Sequence, residues 1–279
     1  MEMSRTHKNG STLFVRHIAL PQDHGSWVFL FSPLLIGFFG SGNWSVASLI
    51  LTIAALSAFL IRQPVTIAVK CYSGRRARRE LPAAWFWMIL YGAVAAFAVI
   101  GLVLLGFGYL LYLAVPGVPV FVWHLRLVSR RAERKQMGVE LVGIGVLALS
   151  ALAAYWVGEG YPSPTGWLLF GLVWLQSAAS IVYAYLRLEQ RTLERKPAPQ
   201  MLLISGKRAL LYTTFNLFIV SVLSILGVIS NWLFVPYMLQ WLETLRGVFQ
   251  PSIGVKPTSI GIRQLIVSTL FTILFILCW

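Results

Sequence analysis

The sequence predicts an all-α membrane protein, a polytopic bundle of about nine transmembrane helices, and three observations carry that prediction. Of the 279 residues, 58% are hydrophobic and only 11% charged, with a mean hydropathy of +0.75; soluble chains run near ~45–50% and ~25%. The apolar residues fall in runs of about 17 to 25, the length a helix needs to cross roughly 30 Å of hydrocarbon, and not in the alternation of a membrane barrel. Lys and Arg, finally, occupy only every second connection between those runs, as the orientation rule for membrane helices requires. Together these exclude a water-soluble enzyme, a disordered chain and a large extramembrane domain.

Taken in order, helices are predicted at 25–42, 44–61, 83–105, 107–125, 137–157, 167–186, 209–229, 231–249 and 264–279. Residues 83–125 form one apolar block, divided at Gly106 and Gly108 on length, and Pro116, Gly117 and Pro119 are expected to kink its second part. Residues 1–24 form a cytoplasmic N-terminal segment with no continuous apolar core, so no cleaved signal peptide is read there. Residues 25–279 then make a single transmembrane domain. The segments 1–24, 62–82, 126–136, 187–208 and 246–263 hold all 23 Lys and Arg. That pattern puts the N-terminus in the cytoplasm, the C-terminus outside and the protein in the inner (plasma) membrane. Trp44, Tyr155, Trp156, Tyr161, Trp167, Trp232 and Trp279 supply an aromatic belt at the external ends.

A net charge of +14 would point to nucleic acid in a soluble chain. Here the orientation rule and the anionic inner leaflet account for it, so no nucleic acid is expected, and Arg75, Arg76, Arg78 and Arg79 read as a solvated topogenic patch. Cys71 and Cys278 fall on opposite faces and cannot pair, and two cysteines are too few for a Cys-based metal site.

Strongly polar side chains within a span cost on the order of 2.5–3.5 kcal/mol each and turn to the bundle interior or to a wet cavity. Gln176, Ser180, Tyr183 and Arg187 share one face of the sixth span; Arg208, Tyr212 and Asn216 follow a spacing of four in the seventh; Gln240, Glu243 and Gly247 line the eighth. Glu140 enters the fifth span near its cytoplasmic end, and His124 and Arg126 close the fourth. These stripes read either as interhelical glue or, because several reach one depth from one side, as a cavity open to the cytoplasm. Glu243 with Arg246 at spacing three would also suit a plain interfacial ion pair.

Two segments add to the second reading. Before the first span, Pro21, Gln22, Asp23, His24, Gly25, Ser26 and Trp27 include the sole aspartate of the chain beside a histidine, a group that titrates near pH ~6.5; an N-cap is the plainer role for Asp23. After the second span, Pro64 suits the first position of a new helix on which Thr66 and Lys70 share a face, with Arg62 just before. This resembles a cationic mouth for an anion, although Arg62 and Lys70 could equally snorkel to the interface.

These same residues carry a family resemblance. Pro21, Asp23, His24, Gly25, Trp27, Pro33 and Gly37, with Phe59, Leu60, Arg62, Pro64 and Lys70, resemble the signatures of the YwiC-like family of bacterial membrane proteins. In topology the chain is also similar to the UbiA family of intramembrane prenyltransferases. That likeness implies a central cavity for an isoprenoid and an aromatic acceptor, with aspartate-rich motifs holding Mg²⁺ after the second and sixth helices. Here those places hold Arg62 with Lys70, and Tyr183 with Arg187 and Arg191; one aspartate cannot build two such sites. No metal or other cofactor is therefore expected, and a phosphate would be held directly by cations.

Three functions stay open. An intramembrane enzyme, a prenyl- or lipid-group transferase, would use Asp23, His24 and Glu243 as catalytic residues. Arg62, Thr66, Lys70, Gln176, Tyr183, Arg187, Arg208, Tyr212 and Asn216 would then bind an isoprenoid, quinone-type or other anionic lipid. A lipid or small-molecule transporter would show internal repeats, and none is evident. A non-catalytic membrane subunit would dock a protein partner, of unknown kind, through its basic loops. Membrane lipids are the expected partners in every case.

Overall fold

The computed structural model describes residues 13–21, 24–132 and 136–279. Among them the helices are α1 (Arg16–Ala19), α2 (Val28–Ser41), α3 (Val46–Tyr72), α4 (Leu81–Leu104), α5 (Ala114–Ser129), α6 (Met137–Glu159), α7 (Pro164–Gln190), α8 (Pro199–Ile225), α9 (Phe234–Phe249) and α10 (Pro257–Cys278). Short 3-10 turns lead into α2 (His24–Trp27), α4 (Arg78–Glu80) and α5 (Gly108–Leu113). No strand occurs among the described residues.

Each helix longer than the single turn of α1 overlies one predicted span. Seven of them, α3 to α8 and α10, are long and apolar enough to cross a membrane when α4 and α5 are taken with the 3-10 turns that lead into them, and the chain is a multi-pass helical membrane protein. The other two are shorter. At 1.5 Å per residue the 14 residues of α2 and the 16 of α9 reach only about 21 and 24 Å. The third and fourth predicted spans separate where expected: α4 ends at Leu104, Gly106 takes a left-handed φ of 93°, and the chain re-enters through Gly108–Leu113.

Three helices run well past their predicted bounds, for one reason. Apolar runs mark the hydrocarbon-immersed part of a helix, whereas the helix itself continues into polar sequence until a backbone signal stops it. Thus α8 begins at Pro199 and not at 209, and α10 at Pro257 and not at 264, each with proline in its first turn, where the missing N–H has no partner to lose. Pro64, predicted to open a new helix, instead lies buried inside α3, which runs unbroken from Val46 to Tyr72.

The bundle is organised around α2 and α6. An added Cβ at Gly37 would stand 2.3 Å from the Ala151 carbonyl oxygen and 2.6 Å from Ala154 Cβ, and one at Gly158 would stand 1.9 Å from Ser41 Oγ. Lipid gives apolar surfaces no reason to leave it, so close backbone approach through small residues is what holds two such helices. On one side α3, α4 and α5 pack about a core of Leu30, Leu34, Phe38, Leu51, Phe59 and Leu102. On the other, α7 to α10 share Ile36, Leu172, Val220, Tyr237, Phe271 and Phe275. α10 returns to α2, where Ser32 Oγ and Thr272 Oγ1 are 2.5 Å apart.

Candidate functional site

Buried polar groups concentrate where α7, α9 and α10 meet. The α7 face predicted from sequence is the one that turns inward: Gln176, Ser180, Tyr183 and Gln190 are buried, and Arg187 is half-buried. From α9 come Gln240, Glu243, Thr244 and Gly247. Gly247 is demanded by packing, since a Cβ there would fall 2.2 Å from the Tyr183 hydroxyl.

At the centre is Glu243, whose side chain is only 10% exposed. Arg263 of α10 donates to both its oxygens, Nε to Oε1 at 2.6 Å and Nη2 to Oε2 at 2.7 Å, and the Tyr183 hydroxyl donates to Oε1 at 2.8 Å. A planar guanidinium matched to a carboxylate in this forked fashion is among the strongest polar contacts available. Glu243 is therefore not paired with Arg246, as spacing three allowed; Arg246 Nε donates to Gln250 Oε1 at 3.1 Å. Removing either partner would leave a charge stranded at partial burial.

Below this pair lies an amide and hydroxyl network. Gln240 Nε2 donates to the Gln176 carbonyl at 3.0 Å and to Ser180 Oγ at 3.1 Å, Gln176 Nε2 also donates to Ser180 Oγ, and Gln264 Nε2 donates to the Ser180 carbonyl at 2.9 Å. Because a backbone carbonyl only accepts, the first bond fixes which end of the Gln240 amide is nitrogen. Its Oε1 is then a buried acceptor with no partner, and so is Asn216 Oδ1, whose Nδ2 donates to the Leu175 carbonyl at 2.7 Å. Above the pair, Arg187 closes the end of α9, its Nη1 donating to the carbonyls of Gly247 at 2.8 Å and Gln250 at 2.6 Å. A cation on the last carbonyls of a helix also answers its dipole.

A recess of about 590 Å³ opens beside this cluster. Arg187, Arg246 and Arg263 line it with Tyr183, Glu243 and Gln240, and Val255, Ile260, Ile262, Ile266 and Val267 form its apolar flank. Ile262 and Ile266 are exposed on the outer side of α10. Among the described residues no three His, Cys, Asp or Glu side chains gather, so the groups offered to a ligand are guanidinium, amide and hydroxyl.

Other predicted site residues lie elsewhere. Arg208 and Tyr212 are exposed, and only Asn216 of that stripe is buried. Each step of four advances 40° beyond a full turn, so the stripe winds off the inner face of α8, which is Leu202, Gly206, Ala209, Thr213, Asn216 and Val220. Arg62, Thr66 and Lys70 are partly buried on α3, where the Arg62 guanidinium stands 5.3 Å from the Phe59 ring centroid. α3 touches α1, α2, α4, α5 and α6 and does not touch α7, α9 or α10. The structure thus does not bring the Arg62 and Lys70 pair onto a helix neighbouring Arg187. Glu140 is exposed and accepts from the Tyr185 hydroxyl at 2.6 Å. Asp23 lies outside the described residues, and His24 is described only as the first residue of the turn His24–Trp27, which packs on α2 and α10.

Sequence reasoning missed Arg263 and Gln264. By hydropathy Arg263 falls among the loop cations; the signal for its place is Pro257, which starts α10 early enough to put Arg263 in its second turn, level with Glu243.

No solved structure matches the chain. It is similar to the protein titled "Uncharacterized protein YwiC" of Bacillus subtilis (strain 168), 26% identical over 180 residues, covering 63% of this chain and 68% of that one. The profile of the family described as YwiC-like protein matches residues 20–155, the stretch from just before α2 through most of α6. Pro21, Gly37, Arg62, Pro64 and Lys70 all lie in that stretch, over which the chain is similar to the YwiC-like family.

Proposed function

We propose that the protein binds the anionic head of a membrane amphiphile in the recess between α7, α9 and α10. The observation that supports this is the mixed lining of the recess, which combines Arg246 and Arg263 with the apolar Val255, Ile260, Ile262, Ile266 and Val267. A phosphate-bearing head would exchange charge-assisted bonds with the guanidinium groups, while its chain would lie along α10 where Ile262 and Ile266 face outward. On this reading the basic ends of the helices face the cytoplasm, by the excess of Lys and Arg there. A phospholipid and an isoprenoid phosphate share the required chemistry.

The test is lipid extraction and mass spectrometry of purified protein. A phosphate-bearing lipid should accompany the wild type and be lost from the Arg246→Gln, Arg263→Gln double variant; equal lipid in both would end the reading. For the orientation, cysteines introduced at 163 and 192 should label from the outside and from the cytoplasm respectively.

A further inference from the structure

We propose that Glu243 is a displaceable stand-in for the ligand's anion: the ligand takes Arg263, and the released Glu243 carboxylate acquires a proton that it donates to Gln240 Oε1. This deepens the reading of the recess as an anion site and rests on it.

Three observations carry the proposal. First, Arg263 is the guanidinium of α10 in the recess, and its Nε and Nη2 are both occupied by Glu243. An incoming phosphate oxygen that seeks the same forked geometry competes with that carboxylate. Second, a carboxylate at 10% exposure cannot be left ionised without its partner, because an uncompensated buried charge is far costlier than a neutral acid. Third, a neutral carboxylic acid needs an acceptor for its O–H, and Gln240, which lines the same recess, offers one. Gln240 precedes Glu243 by three residues on one helix face, a spacing at which side chains meet. Its Oε1 is buried without a donor, and it cannot turn round, because Nε2 is held by the Gln176 carbonyl. A buried amide oxygen with no donor is an exception that calls for a reason. The second state of Glu243 supplies one.

The groups around Glu243 set the direction. From α7, Tyr183 donates to it and Arg187 is spent on the end of α9; from α9, Arg246 bonds Gln250; from α10, Arg263 pairs with it. α8 packs on α9 and α7 and keeps Lys207, Arg208 and Tyr212 exposed. In the empty state Arg263 and Tyr183 hold Glu243 as the carboxylate. Ligand binding withdraws Arg263, so binding takes up one proton from solvent and affinity rises as pH falls, by up to about tenfold per pH unit while one proton is exchanged.

The experiment measures binding of two phosphodiesters between about pH 5 and 8, a range in which a diester keeps one charge whereas a monoester would itself titrate near ~6. Phosphatidylglycerol in phosphatidylcholine nanodiscs holding the protein is one probe, and soluble glycerophosphoglycerol with detergent-purified protein is the other. Wild type should bind more tightly at low pH. Glu243→Gln should bind several-fold more tightly than wild type at neutral pH, with a flat profile, and Gln240→Met should need a lower pH than wild type for the same gain. A pH slope with both probes assigns recognition to the head alone, and a slope with the lipid alone requires the chain; either supports the switch. Binding by wild type with no slope, or a wild-type slope in Glu243→Gln, overturns the switch and leaves the site standing. Binding of neither probe by wild type or Glu243→Gln removes the site, and the switch with it. Should Glu243→Gln fail to fold, Tyr183→Phe serves: it withdraws one donor from the carboxylate, eases protonation and should move the slope to higher pH, and an unmoved slope overturns the proposal.

Discussion

The half of the molecule that carries the family match and the half that carries the buried polar cluster are different halves. Residues 20–155 supply α2 to α6, held by close small-residue contacts and apolar packing, with cations placed at helix ends: the Arg75 guanidinium donates to the Val128 carbonyl where α5 stops, and Arg76 pairs with Glu80 at 2.6 Å. The helices from Pro164 onward bury Gln176, Ser180, Asn216, Gln240 and Thr244 and enclose an ion pair. In a membrane the first kind of contact positions helices and does little chemistry, while the second kind is costly enough that it calls for a use. The comparison teaches that the matched residues define a scaffold and that the place to look for function is α7, α9 and α10.

The sharpest way to break the scaffold half is Gly37→Val. Its new Cβ meets backbone of Ala151, which cannot step aside as a side-chain tip can, so the loss should be about 3 kcal/mol or more, the upper end of overpacking. Thermal unfolding in detergent would show it, with Gly92→Val as the contrast: there the nearest atom is the flexible Ile61 Cδ1 at 3.5 Å and little change is expected.

In the polar half, Arg263→Ala should cost about 2–3 kcal/mol, less than the full 3–5 of a wholly buried pair because its side chain is 40% exposed. Adding Glu243→Ala should recover much of that loss, since the stranded charge goes too. If the double variant is no more stable than the single one, the pair is not the unit described here. Arg187→Ala comes next, at about 1–2 kcal/mol. It should appear as faster amide exchange confined to residues 247–254, because the side chain bridges α7 to the end of α9.

The smallest effects should come from Arg62→Gln and Lys70→Met. Each lies on α3, away from the recess, and should leave the bound lipid unchanged. Loss of lipid in either variant would return the anion site to α3 and reverse the comparison.

Much of the bundle was legible in the sequence because a membrane enforces a simple rule of apolar length, which leaves a long-range pattern. The α7 face was legible by its own pattern: Gln176, Ser180, Tyr183 and Arg187 alternate spacings of four and three, which keeps them on one side. Arg208 and Tyr212 misled because repeated steps of four drift around the helix. Arg263 escaped notice because hydropathy stops before a helix does, and because a cation near a span's end has two uses, orientation and pairing, that look identical in sequence. Its partner could be found only by knowing that α9 and α10 lie side by side.

The contact of α2 with α6 and α10 bears on the order in which the protein is made. α2 leaves the ribosome first among the predicted spans, yet the residues that accept its Gly37 face, Ala151 and Ala154, and the hydroxyl that meets Ser32, on Thr272, are synthesised much later. Until then this short helix must wait beside the translocon or a chaperone with its smallest side chains against lipid, making few of its final contacts. Assembly is thereby governed by distant pairings, the kind that form slowly and leave intermediates open to misassembly. A ribosome paused before α10 would hold a chain whose α2 can already seat on α6 but whose contact with Thr272 is still unmade.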